Sequence, residues 1–158
     1  MKQTAHYDED PADKAAFTKQ FDQFYSRFAP IYNLAQRGLR ASLQQGNVES
    51  LPYEDESFDS VINTMAFSGY PDGQQALAEI RRVLKPDGRL ILIDVNYPQN
   101  RNWLGMKLTA FWTASGDLIR DMASLFNAGD FAYTDREIGG FGSVHLYLAQ
   151  KQRLEKTT

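Results

Sequence analysis

No cysteine occurs in the 158 residues. That excludes disulfides, thiolate metal ligands and thiol nucleophiles, and it fits a reducing compartment. Histidine is almost as scarce, with 2. His6 lies in a polar leading segment, and His145 alternates with Val144 and Leu146, so it faces away from both. A lone histidine with no acid beside it in sequence makes no catalytic pair. No run of Lys and Arg has the density of a phosphate-backbone footprint, and the net charge is -3. Nucleic acid is therefore not expected as a direct partner. No apolar run approaches the roughly 18 residues of a membrane span, and the opening MKQTAHYDEDPADK is too polar and acidic for a signal peptide. A cytoplasmic protein with no integral membrane segment is expected. There is no nucleophile elbow, phosphate loop or zinc-ligand spacing. The acids Glu49, Glu54, Asp55 and Glu56 read as a solvated loop rather than a metal cluster, so no metal is expected.

What is present is an ordinary globular composition, with 42% apolar and 13% aromatic residues. The length suits one domain with a real core. Asp10 can cap a helix that opens on Pro11. Through Phe17, Phe21, Phe24, Tyr25 and Phe28 the apolar residues recur at three- and four-residue steps, which predicts an amphipathic helix. Pro30 ends or kinks it, and a second short helix is expected at residues 31–35.

Residues 39–48 predict a short strand and turn closed by Gly46 and Asn47, and residues 51–57 (LPYEDES) an acidic loop. A strand follows at 58–65, then a turn at 69–73. Ala76, Leu77, Ile80, Val83 and Leu84 share one helix face. Lys85-Pro86-Asp87-Gly88 predicts a turn, and the apolar run LILIDV at 90–95 predicts a buried parallel strand. Strand, helix and strand in this span make a βαβ unit. Helices are expected at 103–113 and 117–126, and strands at 131–138 and 143–150, forming an antiparallel hairpin.

Open α/β sheets bind ligands beyond the carboxyl ends of their strands. Asn63, Thr64 and Met65 mark one such end, and Asp94, Val95, Asn96 and Tyr97 the other. Asp94 sits almost inside an apolar strand, where a carboxylate needs a partner.

The block GNVESLPYEDESFDSVINTMAFSGYPDGQQALAEIRRVLKPDGRLILIDVNYP, residues 46–98, resembles the class I S-adenosylmethionine-dependent methyltransferases, most of all their ubiquinone/menaquinone-biosynthesis and small-molecule group. The pattern shared is a glycine turn, a Leu-Pro-aromatic step, acids and Phe-Asp, a strand, a helix ending in Arg-Val-Leu-Lys-Pro-Asp-Gly, and an apolar strand. FYSRFAPIYNLA at 24–35 resembles the family's N-terminal cap helix, and the Gly139-to-Leu146 segment is compatible with its last two strands. The resemblance implies a Rossmann-like α/β sheet with helices on both faces and a C-terminal antiparallel hairpin. It divides the chain into a tail and cap helix (1–35) and a partial methyltransferase-like domain (36–158).

The resemblance also implies S-adenosylmethionine as cofactor. Asn47 and the Val48 amide would meet the adenine, in a place where many members carry an acid rather than Asn47. Asn63, Thr64 and Met65 would complete the cofactor side. Tyr25 and Tyr32 under the cap, with Asn96 and Tyr97, would line a site for a small or lipid-like methyl acceptor. The apolar stretch MKLTAFWTA at 106–114 agrees with an apolar acceptor or with core packing. No catalytic acid or base is implied, because methyl transfer needs mostly alignment.

The family's glycine-rich cofactor loop and its ribose-binding acid do not occur. The sequence passes from the cap-helix match at Ala35 to the third-strand match near Arg40, where the first two strands and their helices would take about 60 residues. Three explanations stand: residues of the parent protein left out at this join, an internal deletion, or a natural remnant. The undegraded flanking motifs favour the first. In the alternative functional reading the chain is a non-catalytic module without cofactor, and it dimerises or binds a partner to cover the strand edge left bare.

Overall fold

The computed structural model describes residues 44–152. The cap helix, the helix at 31–35, Tyr25, Tyr32, His6 and the Ala35-to-Arg40 join all lie outside the described residues. The chain divides into two compact units, Met1–Gln44 and Gln45–Thr158. The second unit holds all the elements of the sheet.

Strand β1 spans Phe58–Thr64 and is followed by a 3₁₀ turn at Phe67–Gly69. Helix α1, Gly73–Val83, starts where the Asp72 side chain accepts from the Gln75 amide at 3.0 Å, satisfying one of the free N–H groups of the first turn. Ala76, Leu77, Ile80 and Val83 bury one face, and Arg81 and Arg82 fall in the last turn, where positive charge suits the helix dipole. Strand β2, Leu84–Val95, follows without a linker. Helix α2 is Trp103–Ala114, capped by Asn102, and α3 is Met122–Ala128, capped by Asp121. Strand β3, Phe131–Gly139, and strand β4, Val144–Lys151, form the final hairpin around a second 3₁₀ turn, Gly140–Gly142.

The four strands make one mixed sheet in the order β1-β2-β4-β3. β1 and β2 are parallel, and both pairs involving β4 are antiparallel. The α/β sheet, the βαβ unit and the hairpin read from the sequence are all formed. Leu90, Leu92 and Asp94 of β2 pair with Ala149, Tyr147 and His145 of β4. Directly paired residues share a face, so one face carries all six. Val61 and Asn63 join it from β1, and Tyr133, Asp135 and Glu137 from β3. At the amino end of β2 this face is apolar and packs under α1 and α3, in a core that includes Leu77, Ile80, Leu90, Leu92, Phe126 and Tyr147. Each such side chain contributes about 1.5–3 kcal/mol by leaving water.

The structure differs from the sequence reading in three places. The turn expected at 85–88 is a bulge inside β2. Phe58 pairs with Leu84 and Ser60 with Arg89, so Asp59 alone stands against four residues. Lys85 Nζ donates to Asp59 Oδ1 at 2.8 Å across the bulge. The helix expected at 117–126 forms only from Met122, because residues before it are committed elsewhere. The Leu118 amide donates to the Ser68 carbonyl, and the Arg120 guanidinium to the Phe67 carbonyl. The strand expected at 39–48 is absent over its described part, where only an isolated bridge, Asn47 with Ser50, occurs. There the Asn47 side chain accepts from the Glu49 amide at 3.0 Å, the local bond that favours a turn over a ladder.

Candidate functional site

Along the same sheet face, apolar side chains give way to polar ones at the carboxyl end of β2. Asn63, Asp94 and His145 lie there, all buried.

Asn63 closes β1. Its Nδ2 donates to the Tyr70 hydroxyl at 2.6 Å, while its Oδ1 is buried with no hydrogen-bond partner among the described residues. An open buried carbonyl oxygen costs about 1–3 kcal/mol. Next to it Thr64 is exposed. Met65 bends the chain with φ 51°, its amide donating to the Ile93 carbonyl at 2.7 Å. The Asn47 turn reaches the same end through α1. Glu49 accepts from the Asp72 amide at 2.8 Å, just before the helix begins. Asn47 is exposed, and Val48 packs against the core.

The acidic loop is anchored rather than free. Glu79 on α1 accepts from the Leu51 amide at 2.8 Å and from Arg82 through both its oxygens. Arg82 also donates to the Tyr53 and Leu51 carbonyls and to Asp55. The Arg82 bonds, then the Leu51 amide, hold the Glu79 carboxyl down at about 2. Glu54, Asp55 and Glu56 are exposed, and among the described residues no group of acids or histidines is arranged to hold a metal.

Asp94 has the partner its position requires. One oxygen accepts from the Ser68 amide at 2.8 Å and the other from the Val95 amide at 2.7 Å. The Ser68 hydroxyl stands 2.8 Å from Asp94 Oδ1 and 2.7 Å from Asp117 Oδ1. A hydroxyl has one proton to give, so both contacts are hydrogen bonds only when one carboxyl carries a proton. Burial pushes the Asp94 carboxyl up, against the amide bonds that favour its charge.

Asn96 is wholly engaged within the fold. Its side chain donates to the Tyr147 hydroxyl at 2.8 Å and accepts from the Tyr97 amide, and its carbonyl accepts from Thr109. Tyr97 is 39% exposed, with the Arg101 guanidinium over its ring at 4.8 Å. It borders a cleft of about 550 Å³ between the loop after β2, the start of α3 and the hairpin. His145 is 2% exposed beneath this cleft, its Nδ1 2.7 Å from Asp135 Oδ1 and its Nε2 3.2 Å from the Tyr97 carbonyl. His145, isolated in the sequence, thus has a paired acid after all. Asp135 lies ten residues away along the hairpin, a pairing that only the strand register reveals. Ser68 and Arg101 escape a reading of the sequence for a similar reason, since neither belongs to a recognisable spacing.

Known proteins share both the sequence pattern and the fold. A methyltransferase-domain family model matches residues 19–92. The demethylmenaquinone methyltransferase of Lactobacillus johnsonii is 45% identical over 104 residues, 65% of this chain and 41% of that protein. Over about half its length the chain is thus similar to proteins that carry a methyltransferase domain. Solved methyltransferase-like structures have the same fold. The YcgJ protein of Bacillus subtilis superposes with TM-score 0.58 at 18% identity, covering 80% of this chain and 78% of that one. A possible histamine N-methyltransferase of Thermotoga maritima superposes with TM-score 0.57 at 19% identity, covering 71% and 65%. The chain spans only 38% and 41% of the length of the first curated relatives it matches. Among the described residues, no helix is long and apolar enough to cross a membrane.

Proposed function

We propose that the protein is an S-adenosylmethionine-dependent methyltransferase, and that the described residues furnish the adenine side of the cofactor site together with the acceptor side. The observation that carries this reading is Asn63, whose buried carbonyl oxygen is left open at the carboxyl end of β1, where sheets of this class take ligands. The residues present fit one side of the cofactor. Asn47, exposed in its turn, keeps a second lone pair for the adenine amino group; the Val48 amide serves the ring edge, and Asn63, Thr64 and Met65 close the strand end. The glycine cradle for the methionine tail is not among the described residues.

When bound, S-adenosylmethionine would supply an electrophilic sulfonium methyl. The work left to the chain is orientation and exclusion of water. Tyr97 offers an exposed ring to an acceptor, and Asn96 fixes the loop that carries it. Tyr25 and Tyr32 remain candidates for the same role. A small or lipid-like acceptor is favoured by the apolar surface of α2, where Trp103, Leu104 and Phe111 are exposed, and by the demethylmenaquinone named for the Lactobacillus relative.

Calorimetric titration of the full chain with S-adenosylmethionine tests the reading. Saturable binding is expected, weakened about tenfold by Asn63→Ala. No heat and no thermal shift with the unmodified chain would sink it.

A further inference from the structure

The cleft beside the hairpin contains a carboxylate set up differently from the other acids of the protein. Asp135 gives one oxygen to the buried His145 ring, while its side chain remains 29% exposed. Its second oxygen has no hydrogen-bond partner among the described residues. His145 cannot swing away easily: its other nitrogen faces the Tyr97 carbonyl, and its ring stacks on Tyr147 at 5.7 Å and 14°. The acid is therefore held by a buried imidazole behind it and presents an oriented acceptor to the cleft, an arrangement that spares a ligand the entropy of ordering it.

The surroundings define what could reach that oxygen. Ile119, Met122, Tyr133 and Tyr147 supply apolar and aromatic walls. Across the mouth, Arg101 lies over Tyr97 and makes no side-chain hydrogen bond or ion pair among the described residues. Its backbone has a positive φ, 51°. The volume, about 550 Å³, falls among pockets that take small molecules. Flat walls suit a ring. A lone carboxylate oxygen suits a ligand group that donates a hydrogen, and it repels one that can only accept.

We propose that this cleft is a ligand pocket in which Asp135 is the specificity-determining residue: it selects ring compounds bearing a hydrogen-bond donor, a free hydroxyl or amino group, over the same ring with that group methylated. His145 is its positioning residue. The assignment of this ligand as the methyl acceptor rests on the proposed function; the binding itself does not. Such a pocket would hold an unmethylated hydroxyl or amine and release its capped product.

The test uses the full chain, without cofactor, titrated with 2-naphthol and with 2-methoxynaphthalene and followed by probe fluorescence. The free hydroxyl is expected to bind about tenfold tighter or more, the usual scale for a charge-assisted hydrogen bond. Asp135→Asn keeps an oxygen for His145 and turns an N–H toward the cleft, so it should erase or invert the preference. Arg101→Ala should weaken both probes by a similar factor and leave their ratio alone. If Asp135→Asn melts far below the parent, Asp135→Glu replaces it and should retain the preference at reduced affinity. Failure of 2-naphthol to bind, equal affinities, or a preference untouched by Asp135→Asn overturns the proposal. Titrating the same sample with S-adenosylmethionine separates the two readings. Discrimination without cofactor binding keeps the pocket and removes the acceptor role, and the reverse keeps the methyltransferase and removes the pocket.

Discussion

The two ends of one sheet face are built on opposite principles. Along the middle of β2, Leu90 and Leu92 are fully buried under α1 and α3, and shape and apolar area do the stabilising. At the carboxyl end, Asn63, Asp94 and His145 are also buried but depend on particular partners: Tyr70, Ser68 and Asp135. A pairing register only two residues long separates the regimes. The apolar end tolerates no loss of volume, whereas the polar end tolerates no loss of a partner. The first makes a scaffold, and the second is where a ligand can compete for bonds.

Mutation should expose that difference, starting with the largest effect. Leu92→Ala is expected to destabilise the protein by about 2–5 kcal/mol, measured by urea denaturation, with the spread set by how far the cavity collapses. Glu79→Gln removes the charge that gathers Leu51 and Arg82 and should cost about 1–3 kcal/mol. Its carboxyl is depressed from 4.5 to about 2. The stability it gives is thus present above the ordinary glutamate range and drains away as pH falls toward 2, and thermal melts of Glu79→Gln across that window should be flatter than the parent's.

Asp94 has the opposite sign. Its carboxyl is raised from 3.8, so the contribution of its neutral form is complete below that value and is lost as pH rises through the folded value. Asp94→Asn is uncharged at every pH and should flatten the rising-pH side of the profile, at a net cost near neutrality of about 1–3 kcal/mol, because its one amide oxygen serves only one of the two backbone amides. Equal pH profiles for parent and Asp94→Asn would remove the distinction between the two ends. Smallest of all, Asn47→Ala breaks one exposed turn bond and should shift stability by about 0.5 kcal/mol or less; a larger fall in S-adenosylmethionine affinity than in stability would mark it as a binding residue.

The same division governs what the sequence disclosed. Periodicity locates α1 and β2 well, because Ala76, Leu77 and Ile80 repeat at helical steps and LILIDV has a strand's apolar continuity. The unpartnered look of Asp94 in that run correctly announces a buried bond. His145 reads as isolated because its acid lies across a hairpin, where sequence distance hides contact. The helix expected from residue 117 fails because the Leu118 amide bonds to the turn after β1 and the Arg120 guanidinium anchors the same turn, a tertiary competition no local pattern records. Lys85 to Gly88 looks like a turn because Pro86 and Gly88 favour one; the ladder instead resumes on both sides and absorbs the four residues as a bulge.

Ser68 links two carboxylates through one hydroxyl, and its consequence is mechanical. Its one hydroxyl lies within hydrogen-bond distance of Asp94 Oδ1 and of Asp117 Oδ1, so the strand end and the segment before α3 meet at a single atom. Removing that hydroxyl does more than delete a bond: it severs the side-chain link between β2 and the segment that leads into α3.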